Sequence, residues 1–87
     1  MIRKKILIEN RFGLHARPAS LFVEMADRFE SSIFLIHGNH KANGRSILDV
    51  MAVAAGVCEV IIEIDGPDEK EALEALLNTL RQEKCIN

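Results

Sequence analysis

Apolar and polar residues alternate from Arg3 to Glu9, with Ile6 and Ile8 on one side and Lys5, Leu7 and Glu9 on the other. A period of two predicts a half-buried strand. Asn10-Arg11-Phe12-Gly13 breaks it, and beyond the break Ala19, Phe22, Val23, Ala26 and Phe29 recur at helical spacing, with Leu21 and Met25 widening the stripe and Ser20, Glu24 and Asp27 opposite. A helix is therefore expected from about Ala16 to Arg28. Glu24 and Arg28 are spaced for a surface pair on it, worth about 0.3 kcal/mol. Ser32 to His37 reads as a second strand, turned at Gly38-Asn39 into a short third strand, His40 to Ala42, with both histidines solvated at the turn.

After the Asn43-Gly44 turn, Ser46 followed by Asp49 resembles a capping box, and a short helix is expected from Ile47 to about Ala54. Ile47, Leu48, Val50, Met51 and Val53 make it apolar almost all round, which fits either an exposed docking patch or a well-buried helix. Val57 to Ile64 alternates again, with Cys58, Val60, Ile62 and Ile64 inward and Glu59, Ile61 and Glu63 outward. Asp68 and Glu71 then give a capping signal for a last helix with the stripe Ala72, Leu73, Leu76, Leu77 and Leu80. Glu69, Glu71 and Glu74 come early in it and Arg81 and Lys84 late, matching its dipole. The order β-α-β-β-α-β-α predicts an α+β fold, an open-faced β-sandwich whose four-stranded antiparallel sheet carries three helices on one face.

The chain has 87 residues, enough for one domain spanning 1–87. Aromatics are 5% with no Trp or Tyr, so the core must be aliphatic. A net charge of -2 gives no basic field for nucleic acid. No run suits membrane insertion, and Met1-Ile2-Arg3-Lys4-Lys5-Ile6 lacks the apolar region of a signal peptide, so a cytoplasmic protein is expected. Cys58 is expected as a small buried hydrophobe and Cys85 as a solvent-facing thiol. These two with His37 and His40 fit no closed tetrahedral spacing, so neither metal nor organic cofactor is implied.

Candidate chemistry concentrates in Gly13-Leu14-His15-Ala16-Arg17-Pro18-Ala19. Proline is tolerated in the first turn of a helix and costly further in, so Pro18 sets the helix start near Ala16 or Arg17. The residues then at the cap, His15 or Ala16, lack a good capping oxygen, which leaves the first-turn amides, Ala16 among them, open to an anion. Arg17 adds a planar cation suited to phosphate oxygens. A neutral His15 beside such a site is a competent phosphoryl acceptor. The plain alternative is a turn histidine next to a weak cap. No second acid or base and no substrate pocket can be assembled from the sequence, so independent enzymatic turnover is not expected.

Phe12-Gly13-Leu14-His15-Ala16-Arg17-Pro18-Ala19 resembles the active-site signature of HPr, the histidine-containing phosphocarrier family of the bacterial phosphoenolpyruvate-dependent sugar phosphotransferase system. The resemblance continues through Asn43-Gly44-Arg45-Ser46-Ile47 into the last helix. It implies that Nδ1 of His15 takes a phosphoryl group from enzyme I and yields it to sugar-specific components, that Arg17 and the Ala16 amide hold it, and that the carrier is a monomer. It also implies that Ser20, Ile47, Leu48 and Met51 meet partners. In many Gram-positive relatives the serine matching Ser46 is phosphorylated by an HPr kinase, altering docking and recruiting a transcriptional regulator. An HPr-like regulatory domain acting through Ser46 without sugar-directed flux is the alternative, though such a domain has no need of His15. The chain departs from the family at Glu24 and Asp27, where many relatives carry lysine or uncharged residues, at Asp49, where a small residue is usual, and in a slightly shorter 52–58 segment.

Overall fold

The computed structural model describes residues 1–87 and contains seven elements: β1 (Ile2–Ile8), α1 (Ala16–Ala26), β2 (Ser32–His37), β3 (His40–Asn43), α2 (Ile47–Val53), β4 (Cys58–Asp65) and α3 (Glu69–Gln82). The strands form one antiparallel sheet in the order β1-β4-β2-β3. Alternation along each strand divides the sheet into two faces. Ile6, Ile8, Ile33, Leu35, Ala42, Val60, Ile62 and Ile64 are buried beneath the helices, against Phe22, Val50, Leu76 and Leu80. The other face is open to solvent and crossed by ion pairs, Arg3 to Glu63 at 3.3 Å, Lys41 to Glu63 at 3.2 Å and Lys5 to Glu59 at 3.8 Å.

The expected element order and one-sided architecture stand, and several local expectations do not. Helix α1 stops at Ala26, and Glu24 and Arg28 form no ion pair. The reason lies in a remote loop: the Arg45 guanidinium donates to the carbonyls of Ala26, Phe29 and Ser31, while the Arg28 and Phe29 amides turn back to Met25 and Ala26. Three-residue bonds of that kind tighten and end a helix. Asp68 precedes α3 but its side chain does not cap it; the carboxylate accepts instead from the Glu30 and Ser31 amides and the Ser31 hydroxyl.

Cys85 is fully buried, not solvent-facing. Helix α3 closes with Lys84 in the left-handed region (φ 59°), so that the Cys85 amide reaches the Leu80 carbonyl at 2.9 Å and the Lys84 amide the Arg81 carbonyl at 3.0 Å. This is the Schellman geometry with lysine in the position usually held by glycine. It turns the tail back over the core, where the Cys85 carbonyl accepts from the Glu9 amide at 2.7 Å. Cys58, expected inside, is only partly buried, opposite Ile8 at the start of β4. No helix is long and apolar enough to cross a membrane.

Candidate functional site

The loop from Asn10 to His15 is fastened before the histidine is reached. Gly13 has φ +62°, and a Cβ there would run into the Ala54 carbonyl oxygen and the Gly56 nitrogen. That close approach lets the Leu14 amide bond the Ala54 carbonyl at 2.7 Å while the Leu14 side chain enters the core. The Asn10 side-chain amide closes the loop on the Gly13 carbonyl at 2.7 Å. Past His15 the chain is gripped again, by buried Pro18 and Ala19. The imidazole is thus held between two anchored points and stays exposed.

His15 is the N-cap residue of α1, in extended conformation (φ -74°, ψ -173°), and makes no side-chain capping bond. The Ala16 and Arg17 amides donate to no protein group, and Pro18 has no donor. No acidic side chain occupies the first turn. Such a terminus offers N–H donors and partial positive charge to an anion. Phe12, 69% exposed, lies edge-on to the imidazole with ring centres 6.3 Å apart and planes at 86°, and the Arg11 guanidinium sits 5.7 Å from the Phe12 centroid on its other contact. Arg17 is not free. Its Nε donates to Glu83 Oε1 at 3.0 Å, across the space between the start of α1 and the end of α3.

Ser20, partly exposed, lies one turn along α1 from His15 and Arg17. Ser46 caps α2 by accepting from the Asp49 amide at 3.3 Å, but the reciprocal half of the expected box is not made, since the Ser46 amide bonds the Asn43 carbonyl at 3.0 Å. Of the apolar α2 residues, Leu48 is 79% exposed and Ile47 partly so, whereas Met51 packs largely against the core. Asp49 is exposed and lines a groove with His40 and Lys41, Asp27 pairs with Arg45 at 3.5 Å, and Glu24 lines a cleft between α1 and α3. Sequence reasoning missed Phe12 and Val57 as exposed apolar groups on loops flanking the histidine, and missed Glu83. A large apolar residue directly before Gly13 was a readable signal for Phe12; none marked Glu83. No group of three or more His, Cys, Asp or Glu side chains is placed to hold a metal ion.

A family model described as the PTS HPr component phosphorylation site matches residues 2–82. Phosphocarrier protein HPr of Treponema pallidum is 46% identical over 77 residues, which cover 87% of this chain and 88% of that protein. HPr-like protein Crh of Bacillus subtilis is 40% identical over 84 residues, covering 95% and 99%. The solved structure of a histidine-containing phosphocarrier protein of Mycoplasma matches with TM-score 0.91 at 34% identity over 99% of both chains. A crystal structure of B. subtilis Crh as an intertwined, swapped dimer matches with TM-score 0.73 at 40% identity over 95% of this chain and 97% of that one.

Proposed function

Because the chain belongs to the HPr family of phosphocarriers of the phosphotransferase system, we propose that His15 accepts a phosphoryl group from enzyme I, charged by phosphoenolpyruvate, and passes it to sugar-specific transporter components. The observation that carries this reading is the exposed imidazole at an α1 terminus whose Ala16 and Arg17 amides are unclaimed. In the step, enzyme I carries the group as a phosphohistidine: the lone pair of a His15 ring nitrogen attacks phosphorus, the N–P bond on the donor breaks, and the donor imidazole keeps that electron pair. The reverse sequence hands the group on.

A relay works only when neither transfer is strongly downhill, and open amides with one arginine at a solvent-facing helix end stabilise a phosphoryl group partially. Ser20, Ile47, Leu48 and the exposed part of Met51 form the partner face, with Phe12 and Val57 extending it past the histidine. The carrier acts as a cytoplasmic monomer; sedimentation checks this against the swapped dimer of the Crh relative. Incubation with phosphoenolpyruvate and enzyme I should give an acid-labile, alkali-stable adduct that His15→Ala abolishes, and label persisting in that variant refutes the assignment.

The 40% identity to Crh and the hydroxyl of Ser46 beside exposed Leu48 favour a second, regulatory role. A phosphate on Ser46 places about two negative charges beside the docking residues. The HPr kinase with ATP should then modify the protein but not Ser46→Ala, and should weaken enzyme I binding or recruit the transcriptional regulator. Unchanged docking removes the switch.

A further inference from the structure

Phe12 is held out in solvent, 69% exposed, by a backbone that has no freedom to withdraw it. It stands at the third position of a turn that the Gly13 amide closes on the Asn10 carbonyl at 3.1 Å and the Asn10 side chain closes again on the Gly13 carbonyl at 2.7 Å. Gly13 in turn is seated against the backbone of Ala54 and Gly56. An exposed phenyl on a fastened turn breaks the tendency of phenylalanine to be buried, and departures of this kind gather at functional sites. Its ring meets the His15 imidazole at 6.3 Å with planes at 86°, and the Arg11 guanidinium stands 5.7 Å from its centroid.

We propose that Phe12 is a positioning residue that holds the His15 ring in the rotation from which it takes and gives the phosphoryl group, a role beyond contact area on the partner face. It rests on His15 being the acceptor. An imidazole on an exposed N-cap turns broadly about its second torsion, and each half-turn exchanges the place of Nδ1 with that of a ring carbon. A histidine at a reactive site is ordinarily steadied by a hydrogen bond from one ring nitrogen to a carbonyl or carboxylate. His15 makes no side-chain capping bond and no acid stands in the first turn, so the perpendicular phenyl supplies the restraint. It does so without taking either ring nitrogen and without setting a negative charge beside an incoming phosphoryl group. A perpendicular aromatic pair is worth enough beyond its buried area to bias the ring several-fold, and too little to lock it.

The test compares Phe12→Leu, which keeps apolar area on the turn and removes the aromatic ring, with Phe12→Tyr, which keeps the ring. Transfer from enzyme I is followed at varied carrier concentration. Phe12→Leu should lower kcat about 2- to 10-fold, the bias an aromatic pair of this kind commands, with KM within about 2-fold of wild type, and Phe12→Tyr should return most of kcat. Phosphoramidate supplies a donor with no docking surface: a His15 ring nitrogen attacks phosphorus, the P–N bond breaks, and ammonia leaves with the electron pair. Labelling of His15 by phosphoramidate should slow in Phe12→Leu by a similar factor.

A rise in KM with kcat unchanged overturns the proposal, because it makes Phe12 docking surface alone. So does full activity in Phe12→Leu, failure of Phe12→Tyr to restore the rate, or phosphoramidate labelling that is blind to the phenyl ring. Should the variants fold poorly, the unaltered protein answers the same question: nuclear Overhauser contacts should join the Phe12 ring protons to those of the His15 imidazole, and their absence rejects the restraint. Wild type that takes no label at His15 sinks both the acceptor assignment and this proposal, whereas a labelled wild type matched by Phe12→Leu sinks the proposal alone.

Discussion

Gly13 and Gly38 have nearly the same backbone conformation, φ +62° and +58°, in different surroundings, so alanine at each separates backbone strain from steric overlap. Around Gly38 there is nothing within 4 Å of the added Cβ. Gly38→Ala should therefore cost only the left-handed strain of ~1–2 kcal/mol, less ~0.4–1 kcal/mol from the stiffer unfolded chain, or about 1 kcal/mol net. At Gly13 the new methyl meets backbone atoms of Ala54 and Gly56 that have no rotamer by which to retreat. Overpacking adds ~1–3 kcal/mol, and displacement of the loop breaks the Leu14 to Ala54 hydrogen bond, another ~1 kcal/mol, giving about 3–5 kcal/mol in all. For a domain of this size that is a fall in Tm of more than about 12 °C, against roughly 4–8 °C for Gly38→Ala. Urea and thermal unfolding of the two variants measure the difference directly. Because the Gly13 loop aims His15, phosphoryl acceptance should fall in the Gly13 variant even at temperatures where it is folded, and stay unchanged in the Gly38 variant. Equal losses of stability would refute the claim that loop 10–15 is seated on loop 54–57 by close backbone approach.

Other parts of the fold give independent tests. The Ser31 hydroxyl, with the Glu30 and Ser31 amides, holds the Asp68 carboxyl below the usual carboxylate range. A depressed folded-state value means this contribution is complete above the unfolded value of about 3.9 and is lost as pH falls through the folded one, so Asp68→Asn should flatten the acid limb of Tm against pH. An unchanged limb refutes that reading. Lys84→Gly should raise stability by about 0.5–1 kcal/mol in a urea titration by removing the left-handed strain; a loss would mean the lysine side chain supports the turn. Burial pushes the Cys58 and Cys85 thiols up, with the Glu83 charge adding to the effect at Cys85, so a thiol reagent at neutral pH should modify Cys58 first and Cys85 only on unfolding. Leu48→Asp should change stability by less than about 0.5 kcal/mol yet slow transfer from enzyme I, and an undiminished rate would remove α2 from the partner face.

What could be read from the sequence was what is periodic or local. The two-residue alternation of β1 and β4 was visible because the sheet buries one face only, and the start of α1 was visible because Pro18 restricts it. The uncapped terminus followed from the absence of any side-chain oxygen at Ala16 or its neighbour. The misread features all depend on contacts made across the chain. Arg45 ends α1 from a loop 19 residues from Ala26. Asp68 had a helix within reach but found the Glu30 and Ser31 amides 37–38 residues away, which offered it more donors. Cys85 looked like tail because a lysine gives no hint of a left-handed turn. Glu83 had no local signature at all, since its meaning comes from Arg17, 66 residues earlier.

The anchoring of loop 10–15 bears on how an exposed histidine is held in place without a pocket around it. A carrier cannot enclose its reactive group, because each partner must reach it, so the rigidity an enzyme obtains from a closed pocket has to come from behind. Leu14 in the core on one side and Pro18 and Ala19 on the other supply that rigidity within five residues, leaving the imidazole and the two free amides facing outward. Ordering the loop is thus done once, on folding, and is not repeated at each encounter, where immobilising a side chain costs ~0.5–1.5 kcal/mol. The neighbouring cation is held less firmly: Arg17 is exposed and bound through one nitrogen to Glu83, an ion pair of small energy. A fixed backbone beside an exposed, singly bonded cation is therefore the arrangement that the proposed acceptor role of His15 calls for.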